Sequence, residues 1–473
     1  MLDQKRAKKM KLIKTNFSER IMYKLSTQGS SFLTGLAILQ ASDDIKEINN
    51  DLIKETMFYL YKRHPLLQSH IHKTKFLKQI YFSVPDLDTE RKTIQDMNFE
   101  RVRVKSKCEL VTVIENFDYK EFNYESKCLM FKLTVFEWNR QNEEVAFAFA
   151  LTMPHFLSDG INIMTLSIEL VNILNSLLQN KQCDEMLKEL EVVDLVENLV
   201  RESDLITDEM KKNYKSRWKS ENISNFKSPQ KLANVDADLG AKINLLSFDE
   251  NSTKKLISYA KLNNIKMNGV FIVAMLNAFK ELYKENEIEF PEDLSLIVPI
   301  SLRHRVKPSV DNSSVRFCIL QDFLRICSYG KHESNVEEAR YADKLLDADL
   351  KEGLIYDSLL NSFSPVIETI VERLSMNILK RLISMIPFNY SLSNIGTYVN
   401  DRQKISEGPL KIDEMFFGDM SGGAIYIYSL GLFIQTFNNK LMVLLSTNRR
   451  AFDSKHADRF MILFEQQLKS LID

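Results

Sequence analysis

Residues 145–160 have the sequence VAFAFALTMPHFLSDG, an apolar run followed by a short polar motif. Large and small apolar residues alternate over 145–151, so both faces of the run are apolar. Such a run is typical of a strand whose sheet is covered on both sides. The motif His155-x-x-x-Asp159-Gly160 follows, and apolar periodicity predicts a helix directly after it. The stretch therefore predicts an α/β fold with a histidine at the carboxyl end of a core strand.

The motif contains the residue types of a general base and its support. A neutral imidazole at His155 could take a proton from a hydroxyl or an amine as that group attacks a carbonyl. Asp159 falls at the helix start, where a carboxylate caps exposed N–H groups and suits the positive end of the helix dipole. Gly160 permits a tight turn. The alternatives are a histidine hydrogen-bonded to backbone and an aspartate that only caps the helix.

Length and composition exclude several classes of protein. A chain of 473 residues exceeds one ordinary core and predicts two domains or one large pseudo-duplicated unit. Hydrophobic content of 44% and charged content of 27% are typical of a soluble globular protein, and a net charge of -1 argues against a nucleic-acid partner. The five cysteines are odd in number and lack metal-ligand spacing. We therefore expect reduced thiols, no metal site and a cytoplasmic protein.

Membrane contact is expected to be weak. No uninterrupted apolar run reaches the roughly 18 residues of a membrane span, and the start of the chain has no apolar signal core. Basic residues cluster between Lys5 and Lys14, and they could touch a membrane surface or a partner. A solvated terminus is the simpler interpretation.

The charge pattern divides the chain into three regions. Residues 181–236 are rich in charged and polar residues and predict a crossover linker. They separate an N-terminal domain at 1–180 from a C-terminal domain at 237–473, and both domains mix predicted strands and helices. No repeat of 20 to 50 residues is visible.

Local signals predict several element ends. A helix is predicted over 43–63, with Ser42 as its cap and His64-Pro65 as its end. Asn438-Asn439 lies between two apolar runs and predicts a hairpin turn. Asp453 is the predicted cap of the last helix.

Four further motifs lie along the chain, one before HxxxDG and three after it: Arg63-His64-Pro65-Leu66-Leu67, Asn268-Gly269-Val270, Val298-Pro299-Ile300-Ser301-Leu302-Arg303 and Leu392-Ser393-Asn394-Ile395-Gly396. Together with HxxxDG they resemble the CoA-dependent acyltransferases of the chloramphenicol-acetyltransferase fold. That superfamily includes alcohol acetyltransferases, plant BAHD acyltransferases, mycobacterial polyketide-associated acyltransferases and the condensation domains of peptide synthetases. The resemblance spans nearly the whole chain.

The resemblance implies a fold and a division of labour. It implies two similar α/β sandwich domains with an active-site tunnel at their interface, and His155 as the general base. Asp159 would point away from the histidine and pair with Arg303, which keeps the loop in shape. Arg305 is the competitor for this pairing, and Arg303 would otherwise be an ordinary surface arginine.

The resemblance also implies what the protein binds. Ser393 and Asn394 would lie near the acyl donor or the oxyanion, unless they only form a turn. Acyl-CoA would be the co-substrate, a small alcohol or amine the acceptor, and neither a bound cofactor nor a metal would be needed. A site within one chain does not require a dimer, so we expect a monomer.

Departures from the family patterns favour one branch. Condensation domains usually carry a second histidine where this chain has Pro154, and we expect no carrier-protein domain to follow. The segment Phe416-Phe417-Gly418-Asp419-Met420 lacks the tryptophan of the DFGWG element of plant enzymes. The alcohol-acetyltransferase-like branch fits better, so we expect O- or N-acyl transfer, with acetyl as the simplest acyl group. A condensation-type enzyme with a carrier-bound donor and a non-catalytic binding or scaffold relative remain the alternatives.

Overall fold

A computed structural model shows an α/β protein built from two compact units. Unit 1 consists of Met1–Leu199, Arg303–Cys318 and Asn400–Phe417, and unit 2 of Val200–Leu302, Ile319–Val399 and Gly418–Asp473. The structure describes residues 10–73, 80–85, 93–117, 119, 122, 124, 129–139, 145–181, 188–203, 205–210, 230–234, 236–237, 240–291, 294–326, 329–330, 332–353, 356, 374–375, 378, 390–398, 408–421 and 429–472.

The units are discontinuous in sequence, whereas the charge pattern predicted the contiguous ranges 1–180, 181–236 and 237–473. Residues 303–318 belong to unit 1 because they fold around a buried ion pair with its HxxxDG segment. Residues 400–417 belong to it because they supply most of an edge strand. These long-range associations leave no trace in local composition. Much of the predicted linker, 182–187 and 211–229, lies outside the described residues.

The strands are β1 (Met10–Lys14), β2 (Phe32–Ala41), β3 (His70–Lys73), β4 (Ile80–Pro85), β5 (Glu100–Arg103), β6 (Lys132–Asn139), β7 (Val145–Pro154), β8 (Ala241–Ser247), β9 (Leu294–Ser301), β10 (Ile319–Ile326), β11 (Tyr390–Thr397), β12 (Leu410–Asp419), β13 (Leu430–Phe437) and β14 (Lys440–Asn448). The α-helices are α1 (Phe17–Ser26), α2 (Asn50–Arg63), α3 (Lys107–Glu115), α4 (Gly160–Leu178), α5 (Val196–Glu202), α6 (Glu250–Leu262), α7 (Met267–Glu285), α8 (Asn335–Glu352) and α9 (Ser454–Lys469).

The main sheet of unit 1 has the strand order β12-β2-β7-β6-β5. β7 lies at its centre, antiparallel to β2 and β6. Phe147 and Ala148 are adjacent on β7 and therefore face opposite sides of the sheet, and both are completely buried. The prediction of a core strand covered on both faces is confirmed.

Helix α4 packs closely against strand β2. A Cβ added at Gly35 of β2 would overlap with Ser167 Oγ of α4 and lie 3.1 Å from the carbonyl oxygen of Ile163. Because the two backbones approach so closely, the start of α4, and the loop before it, are fixed against the sheet.

Unit 1 also contains a small sheet with the order β1-β4-β3. The basic residues from Lys5 to Lys9 lie outside the described residues.

Unit 2 is built on a six-stranded sheet with the order β10-β9-β11-β13-β14-β8. β11 runs parallel to β9 and β13, and the other neighbours are antiparallel. Helices pack on this sheet through aromatic side chains: the Phe279 ring lies 4.1 Å from Tyr390 and 4.5 Å from Phe460, centroid to centroid. Asn438 and Asn439 have φ angles of 47° and 60°, as the predicted tight hairpin turn requires.

One predicted helix start differs from the structure. α2 begins at Asn50 rather than at residue 43, and its cap is Asn49, whose side chain accepts a hydrogen bond from the backbone of Asp51. The backbone N–H of Ser42 donates to the carbonyl of Pro409, 2.8 Å away, and its hydroxyl is buried without a hydrogen-bond partner among the described residues, so Ser42 caps no helix. Asp453 does occupy the cap position of α9, but its side chain makes no capping hydrogen bond.

Among the described helices, α4 alone is long and apolar enough to cross a membrane by length and composition. However, 72% of its apolar window is buried inside the protein. Its close packing against β2 accounts for this apolar character, since a helix that is covered on most sides needs few polar residues.

Candidate active site

His155 follows the last residue of β7 and is held at both its backbone and its ring. Its backbone N–H donates to the carbonyl of Ser31, 2.9 Å away. Its ring atom Nδ1 lies 2.8 Å from the carbonyl oxygen of Ser158. A carbonyl has no proton to give, so Nδ1 carries the hydrogen and the neutral ring has its lone pair on Nε2. Among the described residues this is the only hydrogen bond of the half-buried ring.

An aromatic ring packs against the imidazole. The Phe317 and His155 ring centroids are 5.3 Å apart, with an angle of 60° between the planes. The residue after the histidine, Phe156, is buried and makes edge contacts with Tyr23 and Tyr124. These contacts restrict the motion of the loop that carries the imidazole.

Asp159 caps helix α4 and is completely buried. Its Oδ1 accepts a hydrogen bond from the backbone of Asn162 at 2.9 Å, and its Oδ2 accepts one from the backbone of Cys318 at 3.2 Å. Both oxygens also face Arg303, with Nη2 to Oδ2 at 2.9 Å. None of these described hydrogen bonds involves His155. The carboxylate therefore stabilises the conformation of the loop.

Arg303 forms the predicted ion pair with Asp159, and both side chains have zero exposure. Its Nη1 donates to the carbonyls of Asp311 and Ser314, and its Nη2 donates to that of Arg316. With Nε and Nη2 on the carboxylate, every N–H of the guanidinium has an acceptor. The competitor for this role, Arg305, is exposed.

The charge on Arg303 is stable despite its burial. Burial alone lowers the pKa of the guanidinium, but the negative charge and hydrogen bonds of Asp159 outweigh it and hold the pKa above its usual value. Burial raises the pKa of the neighbouring Cys318 thiol to about 12. This thiol is therefore protonated, and it does not compete with the carboxylate for the guanidinium.

Asn162 was not identified from the sequence, yet it links α4 to the loop at 303–318. Its side chain has zero exposure, and its Nδ2 lies 3.2 to 3.3 Å from the carbonyl oxygens of residues 312, 313 and 314. An asparagine in the first turn of a helix carries no sequence signal for such contacts, because the acceptors lie about 150 residues away. Gly160 begins α4 in the helical conformation, so its φ angle does not require glycine.

A second buried ion pair at the same loop was also missed. Arg316 Nε lies 2.9 Å from Glu19 Oε1, and both side chains have zero exposure. Arg316 Nη2 donates to Glu19 Oε2 at 3.2 Å and to the carbonyl of Lys14 at 3.0 Å. Loop 303–318 is thus held by an arginine near each end.

The arginine and histidine of the Arg63-His64-Pro65 motif bind the same helix. His64 is buried, and its Nε2 lies 3.2 Å from Glu169 Oε2 on α4. Arg63 also forms an ion pair with Glu169. The motif therefore joins the end of α2 to the helix that follows HxxxDG.

Ser393 and Asn394 belong to unit 2 and are adjacent on β11, so they face opposite sides of its sheet. Asn394 Nδ2 donates to Asn268 Oδ1 at 2.6 Å, and Asn394 Oδ1 accepts from the backbone of Gly396 at 2.9 Å. The first bond joins two motifs that the sequence showed separately. Asn394 and Gly396 also line a small cavity of about 50 Å³ within this unit, beside Met267 and Phe271.

The sequence and the fold were compared with known proteins. Residues 238–384 match the family model described as the phthiocerol/phthiodiolone dimycocerosyl transferase C-terminus. No curated protein matches the chain significantly in sequence.

Solved structures resemble the chain over almost its full length. Trichothecene 15-O-acetyltransferase from Fusarium sporotrichioides has a TM-score of 0.70 at 12% identity, with 96% of this chain and 94% of that chain covered. The first condensation domain of the calcium-dependent antibiotic synthetase has a TM-score of 0.66 at 10% identity, with 98% and 97% covered. Polyketide synthase associated protein 5 from Mycobacterium tuberculosis has a TM-score of 0.58 at 14% identity, with 97% and 98% covered.

The fold is therefore that of the condensation domains and the chloramphenicol-acetyltransferase-like acyltransferases. The resemblance to this superfamily, which the motifs indicated, is confirmed. The structures that share the fold include acyltransferases and condensation domains, and the family model that matches residues 238–384 is described as a transferase C-terminus. The same fold also occurs in the epimerization domain from the third module of tyrocidine synthetase B, with a TM-score of 0.63, so fold alone does not define the reaction.

Proposed function

We propose that the protein transfers an acyl group from acyl-CoA to a hydroxyl or amine of a small molecule, with His155 as the general base. The observation that carries this proposal is the bond between His155 Nδ1 and the Ser158 carbonyl. It fixes the tautomer in which Nε2 can accept a proton, and the half-buried ring keeps that atom available.

The reaction would proceed without a covalent enzyme intermediate. Nε2 takes the proton of the acceptor hydroxyl or amine while its oxygen or nitrogen attacks the thioester carbonyl. The new bond forms as the carbonyl π electrons move to oxygen, which gives a tetrahedral oxyanion. When the oxyanion collapses, the C–S bond breaks and the thiolate leaves with its electron pair. The imidazolium then returns the proton to the thiolate, so the enzyme ends unchanged.

Charge placement in unit 1 supports this role. Asp159 is fully engaged by Arg303, Asn162 and Cys318, so the motif carboxylate acts on the loop and not on the ring. The Ser158 carbonyl, a neutral acceptor, orients the imidazole. An imidazole with its hydrogen on Nδ1 can accept one proton at Nε2, as the attack of a neutral alcohol or amine requires.

The choice of donor and acceptor rests on resemblance. The relative from Fusarium sporotrichioides is by name a 15-O-acetyltransferase, which favours acetyl transfer to oxygen. Ser393 and Asn394 are proposed on the family pattern to lie near the acyl donor, and the cytoplasm is the proposed location. A condensation-type reaction with a carrier-bound donor is the second candidate, because condensation domains match the fold over 98% of the chain.

Thiol release tests the proposal directly. Acetyl-CoA and longer acyl-CoAs would be offered with a panel of alcohols and amines to wild type, His155→Ala and His72→Ala. His72 is an exposed histidine on β3 and provides the matched control. We expect His155→Ala to lower the rate by about 10²- to 10⁴-fold, the usual contribution of a general base. Equal thiol release by wild type and His155→Ala would contradict the proposal, and turnover only with carrier-bound acyl groups would favour the condensation reaction.

A further inference from the structure

The buried pair Glu19–Arg316 contacts the surroundings of His155 from two sides. Arg316 immediately precedes Phe317, whose buried ring packs against the imidazole. The Arg316 guanidinium also lies over the ring of Phe82, 5.6 Å from its centroid. Phe82 in turn stacks on Phe156, the residue after the histidine, with centroids 6.0 Å apart.

We propose that Glu19 and Arg316 are positioning residues for the general base, and that their ion pair fixes Phe317 against the imidazole of His155. This inference rests on the proposed function, because it takes His155 as the base. Neither residue reaches the imidazole in the described contacts, so neither is a catalytic residue.

Glu19 is anchored independently of Arg316. Its Oε2 accepts a hydrogen bond from the backbone of Asn16, whose side chain accepts from the backbone of Glu19, both at 2.7 Å. This reciprocal capping box fixes the carboxylate at the start of α1. After α1, the carbonyl of Ser31 accepts the backbone N–H of His155. The anchor of the ion pair and a backbone support of the histidine thus belong to one short segment.

Arg316 depends on Glu19 more than Arg303 depends on any single partner. Among the described residues, Arg316 Nη1 is buried without a hydrogen-bond partner, and one carbonyl, that of Lys14, is the only other acceptor of the group. Loss of the Glu19 charge would leave a buried cation that has no counter-ion among the described residues and keeps only the Lys14 carbonyl and the Phe82 ring as favourable contacts. The arginine would have to move, and Phe317 would move with it because the two residues are adjacent.

Glu19→Gln is the sharpest variant, since glutamine at this position preserves the capping box while removing the charge. Glu285→Gln, which removes the charge from an exposed ion pair with Arg459, is the matched control. We expect Glu19→Gln to lower kcat by at least about tenfold with little change in KM. Phe317→Ala should give a similar loss, and the double variant should be no worse than Phe317→Ala alone. Additive losses, or an unchanged kcat, would overturn the proposal.

Nitrogen NMR of histidine-labelled protein gives a readout that does not need turnover. His155→Gln assigns the signal of the catalytic ring, and wild type should show the tautomer with hydrogen on Nδ1. Glu19→Gln should show a mixture of tautomers, while Glu285→Gln should match wild type. An unchanged His155 signal in Glu19→Gln would refute positioning even if the variant melted at a lower temperature.

If wild type transferred no acyl group but the tautomer still changed, the proposed function would fail and the positioning would stand. If Glu19→Gln failed to fold, Phe317→Leu would test the ring contact with the ion pair intact.

Discussion

Replacement of Asp159 by asparagine isolates the buried ion pair with Arg303. Asparagine caps helices about as well as aspartate, so the bond to the backbone of Asn162 can persist while the charge is lost. Both side chains have zero exposure, so water cannot compensate the remaining guanidinium. Removal of one partner of such a pair costs about 3–5 kcal/mol. Two charge-assisted hydrogen bonds at about 1.5–3 kcal/mol each give a similar figure.

That cost is smaller than the about 5–15 kcal/mol by which native proteins are stable, so Asp159→Asn should fold but open more often. Trp138 lies in β6 and reports the unfolding of unit 1 by fluorescence. The second tryptophan, Trp218, would be replaced by phenylalanine so that the urea transition belongs to unit 1. Labelling of Cys318 provides a local probe, because its backbone donates to Asp159. A loss of about 3 kcal/mol should accelerate that labelling roughly 100-fold.

The control variant and the refuting result both follow from the difference between a buried and an exposed ion pair. Glu285→Gln breaks a surface pair and should change stability by no more than about 1 kcal/mol. Arg303→Met should cost at least as much as Asp159→Asn, because it also strands the carbonyls of residues 311, 314 and 316. The double variant should cost clearly less than the sum of the two. Additive costs, or a loss below about 1 kcal/mol for Asp159→Asn, would refute the reasoning.

Three further predictions concern other parts of the protein. Native protein should react with thiol reagents at exposed Cys108 and hardly at Cys318, whose burial raises its pKa to about 12; comparable rates in a variant that keeps only these two cysteines would contradict this. Gly35→Ala should destabilise the protein by about 1–3 kcal/mol through overlap with Ser167, and Ser167→Ala should restore part of that loss in denaturant titrations. Burial lowers the pKa of His456 below 6.5, so the contribution of this histidine to stability is complete above that pH and is lost as the pH falls. The melting temperature should therefore drop more between about pH 7.5 and about pH 5.5 in wild type than in His456→Gln. Equal drops in the two proteins would exclude the effect.

Elements with strong local signals could be predicted from the sequence. The alternating run at 145–151 defined β7, and the paired asparagines at 438–439 defined a hairpin turn. Ser42 was misleading because its hydroxyl accepts no capping hydrogen bond among the described residues, while its backbone N–H binds the distant carbonyl of Pro409, a contact that no local pattern indicates. The helix therefore starts seven residues later than predicted, at Asn50.

In the candidate site, too, residues within motifs could be predicted and residues that act through distant partners could not. The pairing of Asp159 with Arg303 was predicted from the family pattern, and the structure contains it. Asn162, Glu19 and Arg316 were not predicted, because each acts through partners about 150 to 300 residues away in sequence. Buried charges look like surface charges in a sequence until the fold supplies their partners.

The discontinuity of unit 1 has a consequence for biosynthesis. Strand β12 pairs with β2, so the main sheet lacks an edge until residues near 417 have been made. At about 5–20 residues per second, the ribosome needs roughly 10 to 40 s for the roughly 200 residues between Leu199 and that point. During this interval the nascent chain exposes the unpaired side of β2, which invites association with other chains. Unit 1 therefore matures after most of unit 2 has emerged, and a gene fragment that ends near residue 199 encodes an incomplete sheet.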